Sequence, residues 1–264
     1  MSGSAEPPAE LVATLRAAGC VFAEDEARLL AEAAAPGPGR DRLVALRVAG
    51  TPLEHVLGWA EFAGLRIQVD DGVFVPRRRS ALLVRLAVDA LEHVPEGRPV
   101  VVDLCCGTGA IGAAIAHTST SEVELHAADL DPRAVACARR NLRASGGTAH
   151  LGDLDEPLPR GLMGRVAVLV ANAPYVPSQA LGLMPREARD HEAAMALDGG
   201  HDGLDLLRRV AALAPRWLAP GGLVVVEVGT RQVEEMLGAM RGAGLRAEVA
   251  VDEELAATAV LGFA

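Results

Sequence analysis

The sequence predicts an α/β protein, a doubly wound and largely parallel sheet with an antiparallel edge, preceded by a small helical unit. Three observations carry this. From Arg98 onward, apolar runs of strand length alternate with stretches of helical period, the pattern of a sheet covered on both faces by crossover helices. The last two runs, Arg246 to Val251 and Ala257 to Leu261, have no helix between them and read as a closing hairpin. The chain before Thr51 instead carries helical periodicity punctuated by Gly and Pro.

In chain order, Leu11, Leu15 and Ala18 share one helical face, and Gly19 is placed to end that helix. Glu24 to Ala35 is a second helix, ended by the breaker Pro36-Gly37-Pro38-Gly39. Arg42 to Ala49 is a third, closed by Gly50. The period then changes. Leu65, Ile67 and Val69 alternate with polar residues, as in a half-buried strand, and Asp70-Asp71-Gly72 is a turn signal. Val73-Phe74-Val75 then reads as the returning strand of a hairpin, ended by Pro76. Residues 1–75 thus form the expected helical domain with its hairpin linker, and residues 76–264 the main domain.

Ala81 to Leu91 is a linking helix. Val100 to Leu104 reads as a strand buried on both faces, followed by glycines and an Ala/Ile-rich helix to about His117. Val123 to Ala128 is the next strand, and Asp131-Pro132 opens a helix to Leu142 as N-cap and first-position pair. His150-Leu151 ends a short third strand, and Val166 to Ala171 is the fourth. Leu204 to Leu218 is helical, Pro220-Gly221-Gly222 turns, Leu223 to Val228 is the fifth strand, and Val233 to Arg241 is a helix.

Composition narrows the function classes. The chain has 264 residues, half of them hydrophobic but only 3% aromatic, so the core is aliphatic. The net charge of −10 argues against a protein that lives on a phosphate backbone. Every basic side chain is Arg, which with the abundant Ala, Gly and Pro reflects a GC-rich coding genome. The cysteines Cys20, Cys105, Cys106 and Cys137 show no zinc-ligand spacing and read as ordinary reduced thiols, so no metal is expected. Met1 to Glu10 has neither the basic nor the apolar segment of a signal peptide, and no apolar run approaches the ~20 residues a membrane helix needs. A cytoplasmic protein away from membranes is expected.

Four constellations fall at the C-terminal ends of strands, where open α/β sheets bind ligands. The first is Asp103-Leu104-Cys105-Cys106-Gly107-Thr108-Gly109, whose glycines allow close backbone approach to a ligand and equally allow a plain tight turn. The second is Asp129, an acid suited to ribose hydroxyls. Asp131 is better placed than Asp129 as the N-cap. The third is Gly152-Asp153, either an acceptor for an adenine amino group or a solvated loop acid. Together they point to a nucleoside cofactor.

The fourth is Asn172-Ala173-Pro174-Tyr175. A conjugated NH₂ group is a poor nucleophile because its lone pair is delocalised. If the Asn172 side-chain oxygen and the Ala173 carbonyl accept its two hydrogens, its lone pair can be aimed at a methyl sulfonium. Orientation and electrostatics then carry the catalysis. No strong base is needed, because the proton leaves easily once the nitrogen is alkylated. Pro174 stiffens the loop and Tyr175 adds a flat face with a hydroxyl. The alternative is a proline-rich loop that only ends a strand.

The glycine loop, the acid after the second strand and the Asn-x-Pro-Tyr motif resemble class I S-adenosylmethionine-dependent methyltransferases. Within that class the chain resembles the release-factor glutamine methyltransferases, which methylate the side-chain amide of the Gly-Gly-Gln loop in peptide chain release factors. The likeness also runs through Gly50 to Gly58, Glu61 to Leu65, Val75-Pro76-Arg77, Glu192, Ala196 to Gly200, Asp202-Gly203-Leu204 and Pro220 through Glu227. The resemblance implies cofactor contacts at Asp103, Cys105, Cys106, Gly107, Thr108, Gly109, Asp129, Asp153, Leu154 and Asn172. It implies that Asn172, Ala173, Pro174 and Tyr175 grip the amide, that S-adenosyl-L-methionine is the cofactor, and that the helical unit docks a protein substrate, a release factor or a relative.

Three departures stand out. The family's Asn-Pro-Pro-Tyr is here Asn172-Ala173-Pro174-Tyr175, and Cys105 replaces the first glycine of the loop. The family's Pro-Glu-Thr-Glu is here Arg78-Arg79-Ser80-Ala81, which exchanges two acids near the site for two arginines. An N6-adenine nucleic-acid methyltransferase, or a small-molecule N-methyltransferase, would hold a planar amino group in the same way. A cofactor-binding regulator without activity is the non-catalytic alternative, against which the intact Asn172 and Tyr175 speak.

Overall fold

The computed structural model describes residues 6–94, 97–183 and 186–264. The Met1 to Glu10 segment lies partly outside them. The helical unit comprises α1 (Ala9–Ala17), α2 (Ala23–Ala33), α3 (Pro38–Val48) and α4 (Leu53–Leu57). Leu15, Ala23, Ala27 and Leu30 are fully buried in a core of its own. Helix α3 begins four residues earlier than expected, because Pro38 is not a breaker there. It takes the first helical turn, where its missing N–H costs nothing, after Gly37 has turned the chain at φ +136°.

One buried ion pair braces this unit. Arg47 donates through Nε to Glu26 Oε2 at 2.6 Å and through a second guanidinium nitrogen to Glu26 Oε1 at 3.2 Å, while a third reaches Glu187 at 2.7 Å. The forked guanidinium matches the carboxylate and ties the helices to the long connection that carries Glu187.

The hairpin differs from expectation. Strand β2 (Leu65–Gln68) pairs antiparallel with β1 (Trp59–Phe62), which precedes it, and not with residues 73–75. Two residues join the strands, Ala63 at φ +48° and Gly64 at φ +78°, the left-handed pair that matches strand twist in a tight hairpin. Residues 72–75 are claimed elsewhere. Gly72 bridges to Glu192, and the Val75 N–H donates to the Glu192 carboxylate at 3.3 Å.

The main sheet has seven strands: β3 (Val100–Leu104), β4 (Glu124–Asp129), β5 (Thr148–Leu151), β6 (Val166–Ala171), β7 (Leu218–Glu227), β8 (Arg246–Asp252) and β9 (Ala257–Phe263). Their order is β5-β4-β3-β6-β7-β9-β8, with β3 to β7 parallel and β9 antiparallel to both neighbours. The closing hairpin and its antiparallel edge stand as expected. The chain runs outward from β3 to β5 and then returns to β6, so the switch point lies between β3 and β6.

Alternate strand residues feed two cores. Val101, Val168, Val170 and Val225 face α5 (Ala81–Leu91), α6 (Ala110–Thr118) and α7 (Pro132–Asn141). Val102, Leu169, Ala171 and Val224 face the opposite way. After the six-residue α8 (Arg186–His191), that second face is covered by α9 (Asp205–Trp217) and α10 (Val233–Gly242). Pro220-Gly221-Gly222 is an irregularity inside β7, not a turn before it. Val166 pairs with Leu218 but Val168 with Leu223, and a Cβ on Gly222 would lie 2.7 Å from the Val166 carbonyl oxygen. Among the described residues no helix is long and apolar enough to cross a membrane.

Candidate active site

A cavity of about 380 Å³ opens at the β3/β6 switch point. Cys105, Cys106, Gly107 and Thr108 form one wall, with Ala128 and Asp129 at the end of β4. Asp153 and Leu154 follow β5, and Ser80, Asn172 and Pro174 also line the cavity. Of the sequence-predicted residues, Asp103, Gly109, Ala173 and Tyr175 are not in the lining; Ala173 is buried in the second core, and the other three have separate tasks.

Asp103 lies beneath the loop, 1% exposed, with Oδ2 accepting from the Gly112 N–H at 2.9 Å. It fastens the end of β3 to α6. Its Oδ1 has no partner, and burial pushes the acid up to about 7 from 3.8. The folded protein therefore keeps this proton to about pH 7, whereas the unfolded chain loses it near pH 4. The stability linked to Asp103 is fully present below pH ~4 and declines as pH rises to about 7. In thermal melts between pH 4.5 and 7, Asp103→Asn is expected to remove a stability loss that the wild type shows. Parallel curves for the two proteins would refute this.

Gly109 is at φ +74°, where a Cβ would meet Ala138 at 3.1 Å, so it packs α6 against α7. Gly107 differs, because at φ +54° its missing Cβ points at open space. This is backbone left bare for a ligand. Cys105 sits in the place of a glycine at φ +54°, a strained conformation for a side-chain-bearing residue that costs roughly 1–2 kcal/mol. Burial, helped by Asp129 and Asp103, pushes its thiol well up, so it stays protonated and inert.

Asp129 takes the Gly107 N–H on one oxygen at 2.8 Å and the Asp131 N–H on the other at 2.9 Å. It holds the glycine loop in shape while lining the cavity, and each oxygen keeps a second lone pair for a hydroxyl. Asp131 caps α7 as expected, accepting from the Arg133 N–H at 2.8 Å. Asp153 is paired with Arg209 at 2.8 Å, and Leu154 is buried at φ +48° beside it.

Around Asn172 stands a network that sequence reasoning missed. Glu227, at the end of β7 and 2% exposed, accepts from Arg79 Nε at 2.7 Å, Tyr175 Oη at 2.7 Å and Ser80 Oγ at 2.7 Å. Ser80 Oγ in turn accepts from Asn172 Nδ2 at 3.0 Å. Burial and the charge of Glu227 push the Tyr175 hydroxyl well up, so it donates and does not act as a base. The Tyr175 ring packs against the second core, with the Arg79 guanidinium 5.6 Å from its centre. Arg79, one of the two intruding arginines, is thus neutralised by Glu227. The signals for Glu227 in the sequence were an acid at an otherwise apolar strand end and its place in the family-like stretch Pro220 through Glu227.

Asp198 and Asp202 are tied to loop structure. Asp198 accepts from Ser178 Oγ at 2.7 Å and the Gly200 N–H at 3.0 Å, and Asp202 from the Leu204 N–H at 3.0 Å. Among the described residues no group of His, Cys, Asp and Glu could hold a metal ion.

This sheet order, with its cavity over a bare glycine loop at the switch point, defines a class I methyltransferase fold. The family model described as Methyltransferase small domain matches residues 65–240. Relatives named release factor glutamine methyltransferase recur at 30–42% identity. One from Streptomyces coelicolor is 42% identical over 185 residues, 70% of this chain and 65% of its own length. One from Moorella thermoacetica is 35% identical over 223 residues, 83% of this chain and 76% of its own. The chain belongs to the release factor glutamine methyltransferase family. A Streptomyces pristinaespiralis relative named 4-amino-L-phenylalanine/4-methylamino-L-phenylalanine methyltransferase is 35% identical over 202 residues, 75% of this chain and 68% of its own. Among solved structures, the hMettl16 catalytic domain in complex with the MAT2A 3'UTR hairpin 6 superposes with TM-score 0.59 at 12% identity, covering 90% of this chain and 81% of that one. That likeness is one of fold.

Proposed function

We propose that this protein transfers a methyl group from S-adenosyl-L-methionine to the side-chain amide nitrogen of a glutamine in a protein, a peptide chain release factor or a relative, in the cytoplasm. The observation that carries the reading is that Asn172 and Pro174 stand in the wall of the same cavity as Gly107 and Asp129. A cofactor on the glycine loop and an amide beside Asn172 would share one enclosed space.

The residues fit that cofactor. Gly107 offers bare backbone facing open space, and Asp129 has free lone pairs for ribose hydroxyls. The bound cofactor supplies an electrophilic methyl on a sulfonium. The protein's own part is orientation. The Asn172 carbonyl oxygen accepts an amide hydrogen and holds the nitrogen toward the methyl, while Ala173, 1% exposed, supports the loop from behind the lining. Tyr175, held as a donor to Glu227, stiffens the loop. No side chain here is poised as a strong base, in keeping with a proton lost only after alkylation. We assign docking of the protein substrate to helices α1–α4, which Arg47 fastens to the connection after β6.

The second reading is an aromatic amine acceptor, favoured by the relative named for 4-amino-L-phenylalanine, whose nitrogen is planar and conjugated in the same way. Transfer of labelled methyl into a release factor, the same factor with its loop glutamine changed, 4-amino-L-phenylalanine and a duplex DNA separates these. Label is expected on the intact factor alone. Label only on the amino acid or the DNA would overturn the glutamine assignment.

A further inference from the structure

The Asn172 carboxamide is nearly symmetric in shape, so packing alone cannot choose which end faces the cavity. The hydrogen-bond polarity around it can. Glu227 is a carboxylate and accepts only. Its Oε1 is occupied by two donors, Arg79 and Tyr175, and its Oε2 by the Ser80 hydroxyl at 2.7 Å. Ser80 has one hydrogen, and that hydrogen is committed to Glu227. At 3.0 Å from Asn172, Ser80 Oγ can therefore only accept, which draws the amide NH₂ toward it and turns Oδ1 away. A flipped amide would set two acceptors face to face.

We infer that Glu227, acting through Ser80, is the positioning residue that fixes the Asn172 carboxamide with its oxygen presented to substrate. The inference rests on the proposed reading of Asn172 as the acceptor of a substrate N–H. Both links are buried, Ser80 at 1% and Glu227 at 2% exposure, so water does not compete for either bond. Arg79 places its charge on the same carboxylate.

Three variants test the relay. Ser80→Ala removes the hydroxyl, Glu227→Gln can donate to Ser80 and so reverse the chain, and Ser80→Thr restores the hydroxyl. Asn172 side-chain amide protons, assigned by their disappearance in Asn172→Ala, are followed by ¹H–¹⁵N NMR beside kcat, KM and calorimetric affinity for S-adenosylhomocysteine. In Ser80→Ala and Glu227→Gln the amide protons should lose protection from exchange, and kcat should fall on the order of 10- to 100-fold. Cofactor-product affinity should stay within about twofold, as expected of an intact fold. Ser80→Thr should recover most of what Ser80→Ala loses. Unchanged amide protection in both variants overturns the relay, as does an undiminished kcat. The amide-proton readout needs no substrate, so a wild type that methylates no glutamine would refute the proposed function and still leave the relay tested.

Discussion

Asn172→Ala is expected to lower kcat for methyl transfer by on the order of 10²–10³, with affinity for S-adenosylhomocysteine within a few-fold of wild type. The magnitude is that of removing one preorganised partner of the reacting group from an enclosed site. The split follows from placement. The glycine loop is held by Asp129, which accepts from the Gly107 and Asp131 N–H groups, and neither bond involves Asn172. Steady-state kinetics beside calorimetric titration reads both quantities. Equal losses in turnover and in cofactor-product affinity would mean that Asn172 serves the cofactor and not the acceptor.

Gly203→Ala is expected to destabilise the protein by about 3 kcal/mol, lowering Tm by roughly 6–12 °C for a chain of this size. Gly203 lies at φ +83°, which costs a side-chain-bearing residue roughly 1–2 kcal/mol. An added Cβ would also sit 2.2 Å from the Tyr175 carbonyl oxygen and 2.5 Å from Gln232 Nε2. Gln232 Nε2 donates to the Tyr175 carbonyl at 2.9 Å and to the Asp202 carbonyl at 3.0 Å, and each bond lost costs about 1 kcal/mol. The displaced group is the backbone of the Asn-x-Pro-Tyr loop, so turnover should fall with stability. A thermal melt checks it, and a Tm within 2 °C of wild type would show that the loop yields without cost.

These two residues illustrate what was legible in the chain. Asn172 stood out because it follows an apolar strand and precedes a stiff Pro-Tyr pair. Gly203 stood out only as part of a family-like pattern, with no reason attached. The reason is tertiary. Gly199 and Gly203 are crowded by the carbonyls of Pro174 and Tyr175, residues about 25 positions earlier in the chain. The hairpin is a second case. Period-two alternation located β2 correctly, but alternation does not name a partner. The left-handed Ala63-Gly64 pair joined it backward to β1, while Glu192 captured residues 72–75. Pro38 is a third, because a proline ends a helix or begins one according to what precedes it.

The sequence by itself determined the layered α/β fold, the antiparallel edge, the glycine loop, Asp129 and the Asn172 to Tyr175 motif. Those features are local, written in apolar period, in backbone freedom and in residues adjacent along the chain. Only the tertiary structure decided that Asp103 and Gly109 support the cavity without lining it, and that Ser80, Arg79 and Tyr175 meet on Glu227. Such meetings depend on which strand lies beside which. A hydrogen bond between residues 147 positions apart leaves no periodic trace in either segment.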